Sequence, residues 1–176
     1  MNPIVVKFGG SSLATAGQFE KVAAIIRENP GRRYVVASAP GKRFSGDTKV
    51  TDLLYRCYDA ACAGQDFAPV LDEIRQRFAD IISELQLQVD LAPDFAAIEA
   101  HLRTSPQRDY MASRGEYLNS RLLAACLGFA FVDAAQMVLF RADGSFDAEA
   151  TNTALRHALV SIDRAVLPGL PRPLPA

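Results

Sequence analysis

The sequence predicts an α/β fold, a mostly parallel sheet flanked by helices, and three observations carry that expectation. Short apolar runs, β-branched in part, recur at Ile4 to Val6, Tyr34 to Ala37 and Ala165 to Leu167. They are too short for helices and suit buried strands. Longer stretches between them carry apolar residues at helical spacing. Glycine, proline and asparagine clusters mark the boundaries. Strands alternating with helices imply a parallel sheet with helices on both faces, because parallel neighbours need a crossover.

The elements follow in order. Pro3 to Val6 is an apolar run whose Ile4, Val5 and Val6 predict a buried strand, and Lys7-Phe8-Gly9-Gly10-Ser11-Ser12 comes directly after it. Phe19, Val22, Ala23, Ile25 and Ile26 predict an amphipathic helix, ended by Asn29-Pro30-Gly31. Tyr34 to Ala37 predicts a second buried strand. Val50 to Ala63 predicts a helix with Leu53, Leu54, Cys57, Tyr58 and Ala61 on one face, closed by Gly64. Phe67 to Leu87 reads as a longer helix and Phe95 to Leu102 as a short one after Pro93-Asp94. Met111 to Leu127 reads as a helix, irregular at Gly115 and stopped by Gly128. Phe129 to Val132 and Met137 to Phe140 predict strands around a turn. Arg141 to Ser145 is a polar loop, and Asp147 to Ile162 a helix. From Pro168 to Ala176 proline recurs at almost every second position, so that stretch cannot continue as a central strand.

Composition narrows the function. With 176 residues, 49% of them apolar, the chain supports one domain with a real core. Its formal net charge of −1 and the lack of a basic stripe argue against nucleic acid. No run of 18 apolar residues occurs, so no membrane-spanning helix is expected. The N-terminus lacks a signal-peptide pattern. Three cysteines, Cys57, Cys62 and Cys126, fall in helical patterns without framework spacing; they read as reduced, buried, small apolar side chains of a cytosolic protein. The two histidines, His101 and His157, are far apart, and no metal-ligand cluster is visible.

The glycine turn is where chemistry is expected. Two consecutive glycines after a strand free the backbone to turn and to approach a ligand. Strand, glycine turn and helix together converge backbone N–H groups on an anion, and Lys7 adds a full positive charge. Phosphate is the expected guest, although such a pair also serves as a plain turn. The spacing is neither G-x-G-x-x-G nor a P-loop. Gly41-Lys42 fails the P-loop too, with Val36 at the first-glycine position and Arg43 where Ser or Thr belongs.

Three segments carry a family resemblance. KFGGSS resembles the KFGGTS signature of aspartate kinases, with Ser11 in place of Thr. VVASAPGKRFSGDTKVTDLLY, Val35 to Tyr55, resembles the family's second segment, and SRGEYLNSRLLAACLGFAFVDA, Ser113 to Ala134, its third. Order and spacing match from about Ile4 to Gly169. The resemblance implies the three-layer amino-acid kinase fold with its C-terminal half missing: residues 1–169 as the amino-acid-binding part and 170–176 as a proline-rich tail outside the family pattern. In the family a Pro-Gly like Pro168-Gly169 precedes a Phe-Tyr-Gly turn, and a glycine- and serine-rich nucleotide loop comes later. Truncation, a shifted reading frame or a cut chain would each account for the difference. No regulatory ACT domain is expected in these residues.

The implied reaction is ATP + L-aspartate → 4-phospho-L-aspartate + ADP, with Mg²⁺ carried on the phosphates. Lys7 is implied as the catalytic residue. Lys7, Phe8, Gly9, Gly10, Ser11 and Ser12 are implied for ATP phosphates, with Ser11 and Ser12 as hydroxyl donors or as caps of the next helix. Ser38, Thr51 and Glu116 are implied to face the amino acid. Thr51 doubles as a candidate N-cap, and Ser113-Arg114-Gly115-Glu116 also fits a capping box. Asp47 and Lys49 read as solvated loop charges, and so do Arg114 and Arg121 on their helix. An aspartate side chain, with a pKa near ~4, is already an ionised nucleophile at neutral pH and needs no general base. The expected partners are L-aspartate and ATP, with no nucleic acid and no membrane; a homo-oligomer is compatible. The rival readings are a kinase for glutamate or carbamate, and a non-catalytic partial domain that binds a ligand or partner.

Overall fold

A computed structural model describes residues 3–169. The proline-rich stretch 170–176 lies outside the described residues. Four parallel strands run in the order β1-β2-β4-β3: β1 Ile4–Phe8, β2 Arg32–Ala37, β3 Ala130–Phe131 and β4 Ala165–Pro168. Six helices flank them: α1 Ala16–Glu28, α2 Val50–Cys62, α3 Ala68–Glu84, α4 Ala92–Thr104, α5 Arg108–Leu127 and α6 Ala148–Leu159.

The period-2 alternation of the strands divides the core in two. Val6, Phe8, Val35, Ala37 and Val166 point into one large cluster with the apolar stripes of α1 to α5. Tyr34, Ala165 and Leu167 point the other way, under Ala154, Leu155, Ala158 and Leu159 of α6. Both faces are therefore covered, but unequally. α6 packs over β4 and Tyr34 of β2, and among the described residues nothing covers the outer face of β1 at Val5.

That imbalance corrects the first expectation. β1 is not a buried strand but a sheet edge with Val5 65% exposed and Ile4 also at the surface. A short β-branched run carries no information on which neighbours cover it. The strand also runs further than Val6, through Lys7 and Phe8, whose backbone pairs with Val36 and Ala37.

Helix boundaries follow local chemistry. α4 begins earlier than expected, with Pro93 in its first turn, where a missing N–H costs nothing. α3 ends at Leu85 and Gln86, the latter with φ of 52°. α5 ends on Gly128 in the left-handed region, φ 68°. Asp147 caps α6 by accepting from Ala150 N–H. Met137 to Phe140 is not a strand. Asp133 accepts from Ala135 N–H and starts a 3-10 turn, Ala134–Gln136, that carries the chain off the sheet. Phe140 then pairs only with Phe146, across a tight local loop.

The cysteines differ from one another. Cys57 is fully buried, and burial pushes its thiol up to about 12. Cys126 is half-buried and Cys62 is exposed, so the buried role holds for the first alone.

Candidate functional site

The site grows from the C-terminal ends of the parallel strands, where α/β sheets hold ligands. β1 ends at Lys7 and Phe8, β2 at Ala37 and Ser38, and β4 at Pro168 and Gly169. Their backbones are tied together there: Ser38 N–H donates to Phe8 C=O at 3.1 Å, and Gly169 N–H donates to Ala37 C=O at 2.9 Å. Alternation points Lys7 away from the core, where it is exposed.

The glycine turn has two functions split between its residues. Gly10 packs backbone to backbone against Gly41: a Cβ on Gly10 would meet Ala39 O at 2.7 Å. Gly10 is thus a glycine for packing. A Cβ on Gly9 would meet nothing within 4 Å, so Gly9 is the residue that borders open space. A 3-10 turn, Gly10–Leu13, intervenes before α1, whose N-terminus is Thr15 without a side-chain cap bond. Ser11 and Ser12 sit in that turn and do not cap α1.

α5 supplies the acidic group. Because α5 starts at Arg108, Ser113 to Glu116 lie in mid-helix and form no capping box. Ser113 Oγ instead donates to Tyr110 C=O. Gly115 lets α5 touch the loop after β2: a Cβ there would lie 2.8 Å from Ala39 Cβ and 3.3 Å from Leu54 Cδ1. That close approach carries the next residue, Glu116, to the strand ends. A Cβ built on Gly169 would fall 3.1 Å from both Glu116 carboxylate oxygens. Glu116 Oε2 is buried without a hydrogen-bond partner among the described residues. Burial pushes the Glu116 carboxyl up, and the charge of Lys7 pulls it partly back.

Thr51 is the second residue of α2, half-buried, while Lys49 holds the N-cap position; Thr51 is not the cap. Val50 N–H donates to Pro40 C=O, so the first turn of α2 stays beside the start of the Ser38 loop. Lys7, Ser38 and Glu116 lie at one end of the sheet, and Thr51 follows Val50, whose N–H is tied to the Ser38 loop at Pro40.

Three residues of this region escaped the sequence reading. Asp47 is only 7% exposed, not a solvated charge. Arg77 of α3 is buried beside it. Asn119 is fully buried and donates to Ser38 C=O at 2.7 Å, while its Oδ1 has no partner. The available signal was a polar residue on an apolar stripe. Arg77 falls among Leu71, Ile74, Phe78 and Ile81, and Asn119 stands one helical turn from Glu116. Arg114 lies between the rings of Tyr110 and Tyr117, 4.6 and 4.5 Å from their centroids, and Arg121 pairs with Asp94 of α4.

With this geometry in place, comparison with known proteins is informative. The model of the amino acid kinase family matches residues 2–170. The chain belongs to the amino acid kinase family. Aspartokinase 3 of Bacillus subtilis is 39% identical over 128 residues, covering 69% of this chain and 28% of that protein. The chloroplastic aspartokinase 3 of Arabidopsis thaliana is 31% identical over 141 residues, covering 70% and 23%. The crystal structure of aspartate kinase from Clostridium acetobutylicum superposes with a TM-score of 0.92 at 41% identity, covering 96% of this chain and 39% of that one. Aspartokinase III of E. coli, solved in complex with aspartate and ADP, shares the fold at a TM-score of 0.69 and 21% identity. The chain thus spans about a quarter of the length of these curated relatives.

Proposed function

We propose that these residues form the amino-acid side of an aspartate kinase, in a cytosolic enzyme whose product, 4-phospho-L-aspartate, feeds lysine, threonine and methionine synthesis. One observation carries the reading: a half-buried carboxylate, Glu116, at the sheet end beside Lys7, with one buried oxygen that has no partner among the described residues. A buried polar atom without a partner is costly, and a substrate ammonium group would supply the missing donor. The likeness to aspartate kinases at 39–41% identity supports the same choice of amino acid.

Each residue then has a task. Glu116 holds the α-ammonium group, and the polar atoms of Ser38 and Thr51 hold the substrate carboxylates. The side-chain carboxylate of the bound amino acid is the nucleophile and is ionised at neutral pH. Lys7 neutralises charge on the phosphoryl oxygens as transfer proceeds, which is mainly positioning and electrostatics. Gly9, which borders open space, lets phosphate oxygens approach the backbone, with Phe8, Gly10, Ser11 and Ser12 shaping the turn. Mg²⁺ would be carried on the phosphates of ATP, as the resemblance to aspartate kinases implies.

Calorimetric titration of the 176-residue chain with L-aspartate and L-glutamate tests this. Aspartate is expected to bind at least tenfold tighter, and Glu116→Gln to remove that binding. Equal affinities would favour a kinase for another amino acid. No binding of either would leave a non-catalytic domain.

A further inference from the structure

Arg77 enters the apolar core from α3 on the stripe shared by Leu71, Ile74, Phe78 and Ile81, its side chain 3% exposed. A buried guanidinium is unfavourable unless its donors are met. Here every partner lies on one loop. Nη1 donates to Thr48 C=O at 2.5 Å, and Nη2 donates to Gly41 C=O at 2.8 Å and stands 3.4 Å from Asp47 Oδ2. Arg43 closes the loop from outside: its backbone N–H and Nε reach Asp47 Oδ2, and its Nη2 reaches Oδ1, each at 2.9 Å. Hydrogen bonds from Arg43 hold the Asp47 carboxyl well below the usual carboxylate range despite burial. Arg77 Nε has no partner, a cost that core packing alone does not explain.

The loop leads straight to the site. Gly41 N–H donates to Gly10 C=O at 2.9 Å, and a Cβ on Gly41 would lie 2.7 Å from Gly10 C. No flexible side chain intervenes between Arg77 and the glycine turn. The same loop begins at Ser38 and ends at the N-terminus of α2, one residue before Thr51.

We propose that Arg77, held by Asp47 and Arg43, is a positioning residue that fixes the Ser38–Lys49 loop and, through Gly41, the Gly9-Gly10 turn in their substrate-binding geometry. This rests on the reading of Ser38, Thr51 and Glu116 as the aspartate site. Arg77 touches no substrate; it acts by placing backbone that does. The planar fork of arginine offers two separate nitrogens in fixed geometry to the two carbonyls, whereas lysine offers one point charge on a flexible stem.

Amide hydrogen exchange by NMR and L-aspartate titration, on the 176-residue chain and its variants, test the proposal well below their melting temperatures. Arg77→Met is expected to speed exchange at Gly41 at least tenfold while Val166, in β4, stays within twofold, and to raise the aspartate Kd at least fivefold. Arg77→Lys should fall between it and the parent. Should Arg77→Met not fold, Arg43→Ala, which leaves the buried pair in place, should give the same pattern at threefold or more. Unchanged exchange at Gly41 overturns the proposal, and so does equal acceleration at Gly41 and Val166, the mark of a general core prop. Faster exchange at Gly41 with an unchanged Kd overturns the link to the site. If the parent chain binds no aspartate, the substrate reading fails, and the exchange ratio alone decides whether Arg77 anchors the turn.

Discussion

Lys7 stands close enough to act on the Glu116 carboxyl, yet the roles of the two residues separate cleanly by substitution. In a kinase made by joining residues 1–169 to the remaining part of the Clostridium acetobutylicum enzyme, Lys7→Ala removes one charge contact to the transferring phosphoryl group. A loss of about 3 kcal/mol, near a hundredfold in kcat, is expected from steady-state rates, with little change in melting. Glu116 answers to pH. Its folded pKa is raised above the ordinary 4.5 by burial. Its stabilising contribution is therefore present below that ordinary value and lost as pH rises through the raised one. Calorimetric melting of the parent and of Glu116→Gln should coincide near pH 4, and the variant should melt higher at pH 8 while losing aspartate affinity. A parent that is the more stable of the two at pH 8 would mean that Lys7 already neutralises the carboxylate, leaving no unpaired charge for an ammonium group to meet.

At the scale of elements, α5 is the piece that must fit most closely. Gly115 in its middle is unfavourable for a helix by about 1 kcal/mol relative to alanine. Yet a Cβ there would lie 2.8 Å from Ala39 Cβ, so either the loop or the helix must move. Overpacking of that kind costs roughly 1–3 kcal/mol and outweighs the gain in propensity. Gly115→Ala should lower the urea midpoint by an amount equal to about 1 kcal/mol and weaken aspartate binding. Gly17 in α1 is the opposite case, with nothing within 4 Å of its absent Cβ. Gly17→Ala should stabilise by up to about 1 kcal/mol in the same titration.

For the molecule as a whole, the sheet exposes one flank. β1 is an edge strand with Val5 and Ile4 at the surface, and Lys7 leads from it into the site. On the aspartate kinase reading, Lys7 and the glycine turn would hold only one side of a triphosphate. Transfer needs both substrates held in line, and such positioning is worth roughly 7–11 kcal/mol of the barrier. The 176-residue chain alone should therefore bind aspartate without turning it over. A coupled ADP-release assay with ATP, Mg²⁺ and aspartate checks this. Aspartate-dependent turnover near ~1 s⁻¹, within the ordinary enzyme range, would show that these residues suffice for catalysis.

How much of this was legible follows from the range of the forces involved. Periodicity of 2 and 3.6 is written residue by residue, so the parallel α/β class and the stripes of α1, α2 and α3 could be read directly. So could the glycine turn after β1, because a strand end followed by Gly-Gly is a local statement. Boundaries set by local chemistry were close, as at Gly64, Gly128 and Asp147. What the chain does not write locally is who covers whom. Val5 has the residue type of a buried strand and is exposed because, among the described residues, no helix packs over that flank of the sheet. Asp47 has the residue type of a loop surface and is buried because Arg77, thirty residues later, reaches it. Glu116 fits a capping box in sequence and lies in mid-helix because α5 begins a turn and a half earlier, at Arg108. Its half-buried carboxylate is brought to the strand ends by Gly115, which lets α5 press against Ala39. Propensity and pattern act over a few residues, whereas burial and charge pairing are set by contacts between distant segments, and those only the tertiary structure decided.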